Sequence, residues 1–211
     1  MRRRALIGML AAGLAGCSTL RSALPEKPVR QTMYDFGPPP ATAAAGAANR
    51  PALVLPEVET EGVLDTPALL YRLAYEDAFQ LRSYAFARWS APPAQLLRQR
   101  LRDVLGRERA VLDNSAAASL VRRGADRPPV LRVELEELNQ VFDAANTSHG
   151  VVRVRCTLLQ SNTGGDRLVA QRSFRAEGQA PSPDAPGGVR AVTAAVDTLA
   201  ADIAAWLQQQ R

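Results

Sequence analysis

The 211-residue sequence predicts an α+β fold: a mostly antiparallel sheet with two main helices packed on one face, preceded by an N-terminal signal and tether. Three observations predict it. Apolar and polar residues alternate in several runs, the pattern of strands with one buried face. Turn-forming clusters separate neighbouring runs, Ser161-Asn162-Thr163-Gly164-Gly165-Asp166 being the clearest. Two segments carry helical periodicity instead. In the second, Val189, Val192, Val196, Leu199, Ile203 and Trp206 are spaced 3, 4, 3, 4, 3 and form one stripe.

Taken in order, Thr32 to Phe36 predicts a short first strand, and Pro38 to Ala48 a loop. Ala52 to Val58 reads as a strand bounded by Pro51 and Pro56. A hairpin follows: Leu69, Tyr71, Leu73 and Tyr75 alternate with polar residues, Glu76-Asp77 turns the chain, and Phe79, Leu81 and Trp89 continue the pattern. Pro92 and Pro93 suit the first turn of a helix, where no N–H partner is lost, with Ser90 near its cap. Leu96, Leu97, Leu101, Val104 and Leu105 fall on one face of that helix, Arg98, Arg100 and Arg102 mostly elsewhere, and Gly106 stops it. Ala110 to Leu112 is a short strand, and residues 113–129 are a loop with one helical turn at Ala116 to Val121.

Leu131, Val133 and Leu135 then share a face, but Leu138 and Phe142 have the opposite parity, so a β-bulge is expected near Glu136 and Glu137. Val152, Val154, Cys156 and Leu158 form the apolar face of the next strand. Leu168, Ala170, Phe174 and Ala176 form that of the return strand, and residues 182–188 break the chain before the last helix.

The N-terminus reads as a processing signal. Arg2, Arg3 and Arg4 precede an apolar run from Ala5 to Leu14, too short to span a bilayer, which takes roughly 20 residues, but suited to a signal peptide. Leu14-Ala15-Gly16-Cys17 follows. This order resembles a bacterial lipobox, which implies that Cys17 is lipidated, with acyl chains of the palmitate kind, and becomes the first residue after cleavage. Ser18 in place of aspartate implies, by the same resemblance, sorting to the outer membrane. The expected organisation is a signal peptide over 1–16, a lipidated cysteine and tether over 17–30, and a single domain over 31–211. The tether, residues 18–30, reaches at most about 45 Å when extended.

Composition narrows the function. With 46% hydrophobic and 22% charged residues the chain can build a core, and two cysteines do not make a disulfide scaffold. Loss of residues 1–16 removes three arginines and lowers the formal charge from +5 to +2. No dense basic patch remains for nucleic acid. Catalytic patterns are missing as well. His149 is the one histidine and reads as a surface residue at a strand start. Cys156 lies on an apolar face, as a buried small hydrophobe does. Glu134 and Glu136 could cooperate, yet a solvated sheet face explains them equally well, and Asp143 and Asp184 have no evident partners. No metal site, cofactor or enzymatic activity is expected.

Aromatics are concentrated instead. Tyr71, Tyr75, Phe79, Tyr84, Phe86 and Trp89 are six of the eleven in the chain. Parity places Tyr71, Tyr75, Phe79 and Trp89 in the core and leaves Tyr84 and Phe86 for the surface. The candidate partner-binding residues are Tyr84, Phe86, Arg88 and Trp89, the last serving equally well as core.

The block Arg88-Trp89-Ser90-Ala91-Pro92-Pro93 before a Leu-rich helix, with the Tyr34 strand, the Leu131 to Leu135 strand, the Arg172 to Phe174 strand and a final helix ending near Trp206, resembles the ABC-type transport auxiliary lipoproteins of the paraquat-inducible protein C type. The Pro/Ala-rich stretch at 37–50 departs from that pattern. The resemblance implies a lipoprotein held in the cell outer membrane and facing the periplasm. It would dock an MCE-domain protein with its ABC permease and ATPase, singly or as a homo-oligomeric ring, for lipid transport between the membranes. The alternative is a structural or assembly lipoprotein of the envelope. A periplasmic hydrolase would have to rest on His149 or Glu134.

Overall fold

The computed structural model describes residues 30–39, 50–124, 126–162 and 164–210. The expected signal peptide, Cys17 and most of the tether lie outside the described residues. Eight strands and three α-helices follow in the order β1 (Thr32–Tyr34), β2 (Arg50–Val54), β3 (Ala68–Leu73), β4 (Leu81–Trp89), α1 (Pro93–Leu105), β5 (Arg109–Leu112), α2 (Asn114–Arg122), β6 (Val130–Ala144), β7 (Thr147–Asn162), β8 (Gly165–Gln179) and α3 (Ala185–Gln209), with a 3₁₀ turn at Gly62–Asp65. The fold is α+β, as the sequence predicts.

The three longest strands form an antiparallel meander, β6-β7-β8. Their alternation puts Leu131, Val133 and Leu135 of β6 opposite Leu158, Cys156 and Val154 of β7, all buried. At Glu136 the register shifts by one residue, as the parity change requires, and Leu138 returns to the buried face. A second shift lies in β8 between Leu168 and Ala170. It turns Leu168 outward, so this residue is exposed rather than aligned with Ala170, Phe174 and Ala176.

The other edge of β6 is shared. Val54 of β2 pairs with Val130, Glu59 bridges to Glu134, and Tyr71 to Leu73 of β3 pair with Gln140 to Phe142, all parallel. Residues 54–73 thus run alongside β6 as one interrupted strand. Pro56, which has no N–H to donate, and the 3₁₀ turn make the interruptions. Alternation reveals buried faces and not strand direction, so these parallel pairings were not legible in the sequence.

Helices α1 and α3 pack together over one face of the sheet. Leu199 and Ile203 of the α3 stripe are fully buried, each contributing roughly 1.5–3 kcal/mol. Asp184 caps α3 by accepting a bond from the Gly187 N–H at 2.8 Å. A transverse row explains how closely α3 approaches: Gln140, Gly150 and Gly178 are cross-strand neighbours on β6, β7 and β8. A Cβ on Gly150 would lie 2.3 Å from the Val192 backbone N, and one on Gly178 2.3 Å from the Ala191 carbonyl oxygen. Glycine is what lets helix backbone rest on sheet backbone.

Three expectations are corrected. Residues 114–122 form a complete helix rather than a loop with one turn, because the Asp113 carboxylate accepts from the Ala116 N–H and nucleates it. Arg100 is on the buried side of α1, 3% exposed, because the carbonyl oxygens of Phe36 and Gly37 and the carboxylate of Asp197 satisfy its guanidinium there. The hairpin ends sooner than the alternation suggests: β3 stops at Leu73, so Tyr75 and Phe79 fall in the connecting turn instead of the core.

Candidate partner surface

All four candidate partner-binding residues lie on β4, in an irregular stretch. Leu70 of β3 pairs with Ser83, but Ala68 already pairs with Arg88, so residues 84–87 bulge out of register. This bulge sorts the side chains. Trp89 is fully buried with its ring edge-on to Phe36 at 5.3 Å, so of its two expected roles it takes the core one. Phe86 is 59% exposed. Arg88 is exposed and donates to Gln31 Oε1 at 3.4 Å, while Gln31 Nε2 donates to the Ala85 carbonyl, tying β1 to the bulge.

Tyr84 turns inward by half. Its Oη donates to Gln140 Oε1 at 2.8 Å, and Gln140 Nε2 donates to Ser148 Oγ at 2.8 Å. Its ring packs against Tyr71 in a tilted arrangement, with centroids 4.6 Å apart and planes inclined by 41°. Burial, with smaller contributions from Tyr71 and Asp184, holds the phenol well above the ordinary tyrosine range, so it stays a neutral donor. Gln140 also lies under α3, where a Cβ on Gly188 would collide with its side chain. The back of the β4 bulge is thereby fixed to the start of α3.

The exposed apolar side chains are concentrated on the elements that carry Phe86 and on the turn leading to them. Among the described residues, five of the eight exposed large apolar side chains belong to β1, β4 or the β3–β4 turn: Met33, Tyr75, Phe79, Leu81 and Phe86. Phe79, at the turn, is 94% exposed. Sequence parity missed Tyr75, Phe79 and Met33; for the first two the Glu76-Asp77 turn beside them was the available signal. Exposed aromatics of this kind are enriched at partner interfaces.

The carboxylates and the histidine make no catalytic arrangement among the described residues. Arg155 spans Glu134 at 3.4 Å and Glu136 at 2.5 Å, and Arg153 lies 3.4 Å from Glu136. Each acid is matched by a base across the strand, as on a solvated sheet face. His149 sits within β7, largely covered, with Nδ1 2.8 Å from the Asp143 carboxylate. Burial pushes the Cys156 thiol up to about 12, far from a reactive thiolate. No group of three or more potential metal ligands occurs, and no helix is long and apolar enough to cross a membrane, among the described residues.

The model of the ABC-type transport auxiliary lipoprotein component family matches residues 34–204, which takes in β2 to β8, the β4 bulge and most of α3. The chain belongs to that family. No curated protein matches the sequence. Two solved structures share the fold of this auxiliary lipoprotein. One is a Xanthomonas campestris protein of the DUF330 family model, with a TM-score of 0.67 at 16% identity, covering 83% of this chain and 94% of its own. The other is an uncharacterized protein, with a TM-score of 0.62 at 17% identity, covering 84% and 99%. At such identities the likeness establishes the fold of the family domain and leaves its surface chemistry to the residues described above.

Proposed function

We propose that this auxiliary lipoprotein is anchored through Cys17 in the outer membrane, faces the periplasm, and docks an MCE-domain protein with its ABC permease and ATPase for transport of lipids or other hydrophobic molecules. The match to the auxiliary family across residues 34–204 carries the reading. The lipobox-like Leu14-Ala15-Gly16-Cys17 supplies the anchor, and two or more acyl chains give stable attachment, since each buried CH₂ contributes roughly 0.8 kcal/mol. The exposed apolar side chains of β1, β4 and their turn supply the docking surface, with Phe86 and Arg88 as contacts and Tyr84 and Trp89 holding the bulge from behind. Work on cargo is left to the energised partner, whether the lipoprotein acts singly or as a homo-oligomeric ring.

In-cell cross-linking with the lipidated protein as bait tests this. Recovery of an MCE-domain protein with its ABC partners is expected, and Cys17→Ala should abolish complementation of a deletion strain. Recovery of unrelated envelope assembly factors alone, or full complementation by the unanchored variant, would overturn the docking role.

A further inference from the structure

Near the start of β6, whereas β3 and β4 lie toward its end, a cavity of about 390 Å³ opens between the β2–β5 pair and β8. Arg50 of β2 and Arg109 of β5, adjacent in register, line it together with Arg167 of β8. Strands β7 and β6 lie between β8 and β2, so the sheet curls to bring these residues together. Leu158, Val169 and Leu207 provide apolar lining.

Arg109 is the unusual member. It is 8% exposed, and its guanidinium has no salt-bridge partner within 4 Å among the described residues, Glu108 attracting it from farther away. Buried charges are ordinarily paired, because stripping water from an ion costs several kcal/mol. Burial, with neighbouring Arg50, draws the Arg109 guanidinium below the ordinary arginine range, while Glu108 opposes. Arginine nevertheless remains protonated in proteins. Part of the positive charge is already matched: Glu108 lies 3.2 Å from Arg50, and the carboxyl end of α3 adds roughly half a negative charge. Among the described residues, three guanidiniums against those two leave the cavity positive.

We infer that this cavity binds an anion carrying an apolar tail, a carboxylate or phosphate monoester on a hydrocarbon chain, with Arg109 and Arg167 on the head and Leu158, Val169 and Leu207 against the tail. The volume lies in the range of small-ligand sites, which run from about 300 to 1,000 Å³. The inference does not rest on the docking role, because it concerns the other end of β6 and needs no partner protein.

The test is calorimetric titration of the full chain carrying Cys17→Ala, so that no acyl group of its own competes. The probes are decanoate, decyl phosphate, decyltrimethylammonium and inorganic phosphate, each below its micelle concentration. Decanoate or decyl phosphate should bind at least about tenfold more tightly than inorganic phosphate and than the cation of equal tail length, about 1.4 kcal/mol or more. The tighter of the two anions identifies the head group. Arg109→Met should abolish binding yet raise the unfolding temperature of the unliganded protein, since it removes a largely buried charge that has no close ion-pair partner. A purely structural arginine would lower that temperature. If Arg109→Met fails to fold, Arg167→Glu at the rim serves instead, with the same loss of binding at unchanged stability. Equal binding of inorganic phosphate would overturn the tail, equal binding of the cation would overturn the arginine head site, and no binding of either decyl anion would overturn the site.

Discussion

Arg100 of α1 lies 3.1 Å from Asp197 of α3, and the same guanidinium takes the carbonyl oxygens of Phe36, Gly37 and Pro38. One side chain thus joins the two helices to the segment that follows β1. The Asp197 oxygen makes no well-aligned hydrogen bond, so the pair is held by charge more than by geometry. Burial raises the Asp197 carboxyl above the ordinary aspartate range even though Arg100 and Arg107 pull it down.

Loss of this guanidinium should be among the costlier single changes. Arg100→Ala strands three carbonyl oxygens and a partly buried carboxylate, and breaking a buried pair costs about 3–5 kcal/mol. Urea unfolding of the variant checks it. Because Arg100 ties residues 36–38 to α1, the variant should also gain early amide exchange over 32–36. A loss under about 1 kcal/mol would show that the pair is dispensable.

The contact of Gly150 with Val192 gives a second prediction. A methyl group placed 2.3 Å from the Val192 N forces α3 to lift, and the cost of overpacking is about 3 kcal/mol or more. Gly150→Ala should therefore destabilise strongly, although alanine has the better intrinsic propensity in most contexts. Thermal unfolding measures this, with Gly164→Ala, which meets no atom within 4 Å, as the control.

A pH dependence follows from the cap of α3. The Ser182 hydroxyl, then the Gly187 N–H, hold the Asp184 carboxyl below the ordinary aspartate range. A depressed folded value means that the ionised form favours folding. Its contribution is complete above the unfolded value near 3.9 and is lost as pH falls through the folded value. Asp184→Ala should cost about 1 kcal/mol at pH 7, and urea unfolding of the two proteins at about pH 3 should show the gap narrowed. A gap that widens on acidification would contradict the cap.

Cys156 should be inert in the folded protein. It is fully buried in β7, and its thiol is held near 12. In the lipidated protein, Ellman's reagent should find no reactive thiol until denaturant is added, and then one. Reaction in native buffer at the rate of an exposed thiol would mean that β7 opens readily.

The meander was legible because each of its strands has one apolar face, and the parity change at Leu138 even located the bulge at Glu136. The α3 stripe was legible for the same reason, whereas β2 was legible as an apolar run between prolines, expected over 52–58 and found over 50–54. What escaped was information that alternation does not carry. Parallel pairing of β3 with β6 depends on residues nearly 70 positions apart. The burial of Arg100 depends on carbonyl oxygens of the β1 exit, and the meaning of Gly150 and Gly178 depends on α3 lying over them. At the candidate surface, Phe86 was found by parity, whereas Phe79 was assigned to the core because the end of β3 at Leu73 leaves no mark in the pattern.

The docking account meets its most direct test in site-specific photo-cross-linking in cells. A photoreactive residue is placed at 86 in the lipidated protein, and in a second strain at 168, exposed on β8 at the opposite edge of the sheet. Neither change should move the unfolding free energy by more than about 0.5 kcal/mol. The account predicts an adduct with an MCE-domain protein from position 86, none from 168, and weaker capture at 86 when Phe79 is also changed to Ser. Adducts to that protein from 168 alone, or no adduct to it from 86 in cells where the transport system is intact, would contradict it.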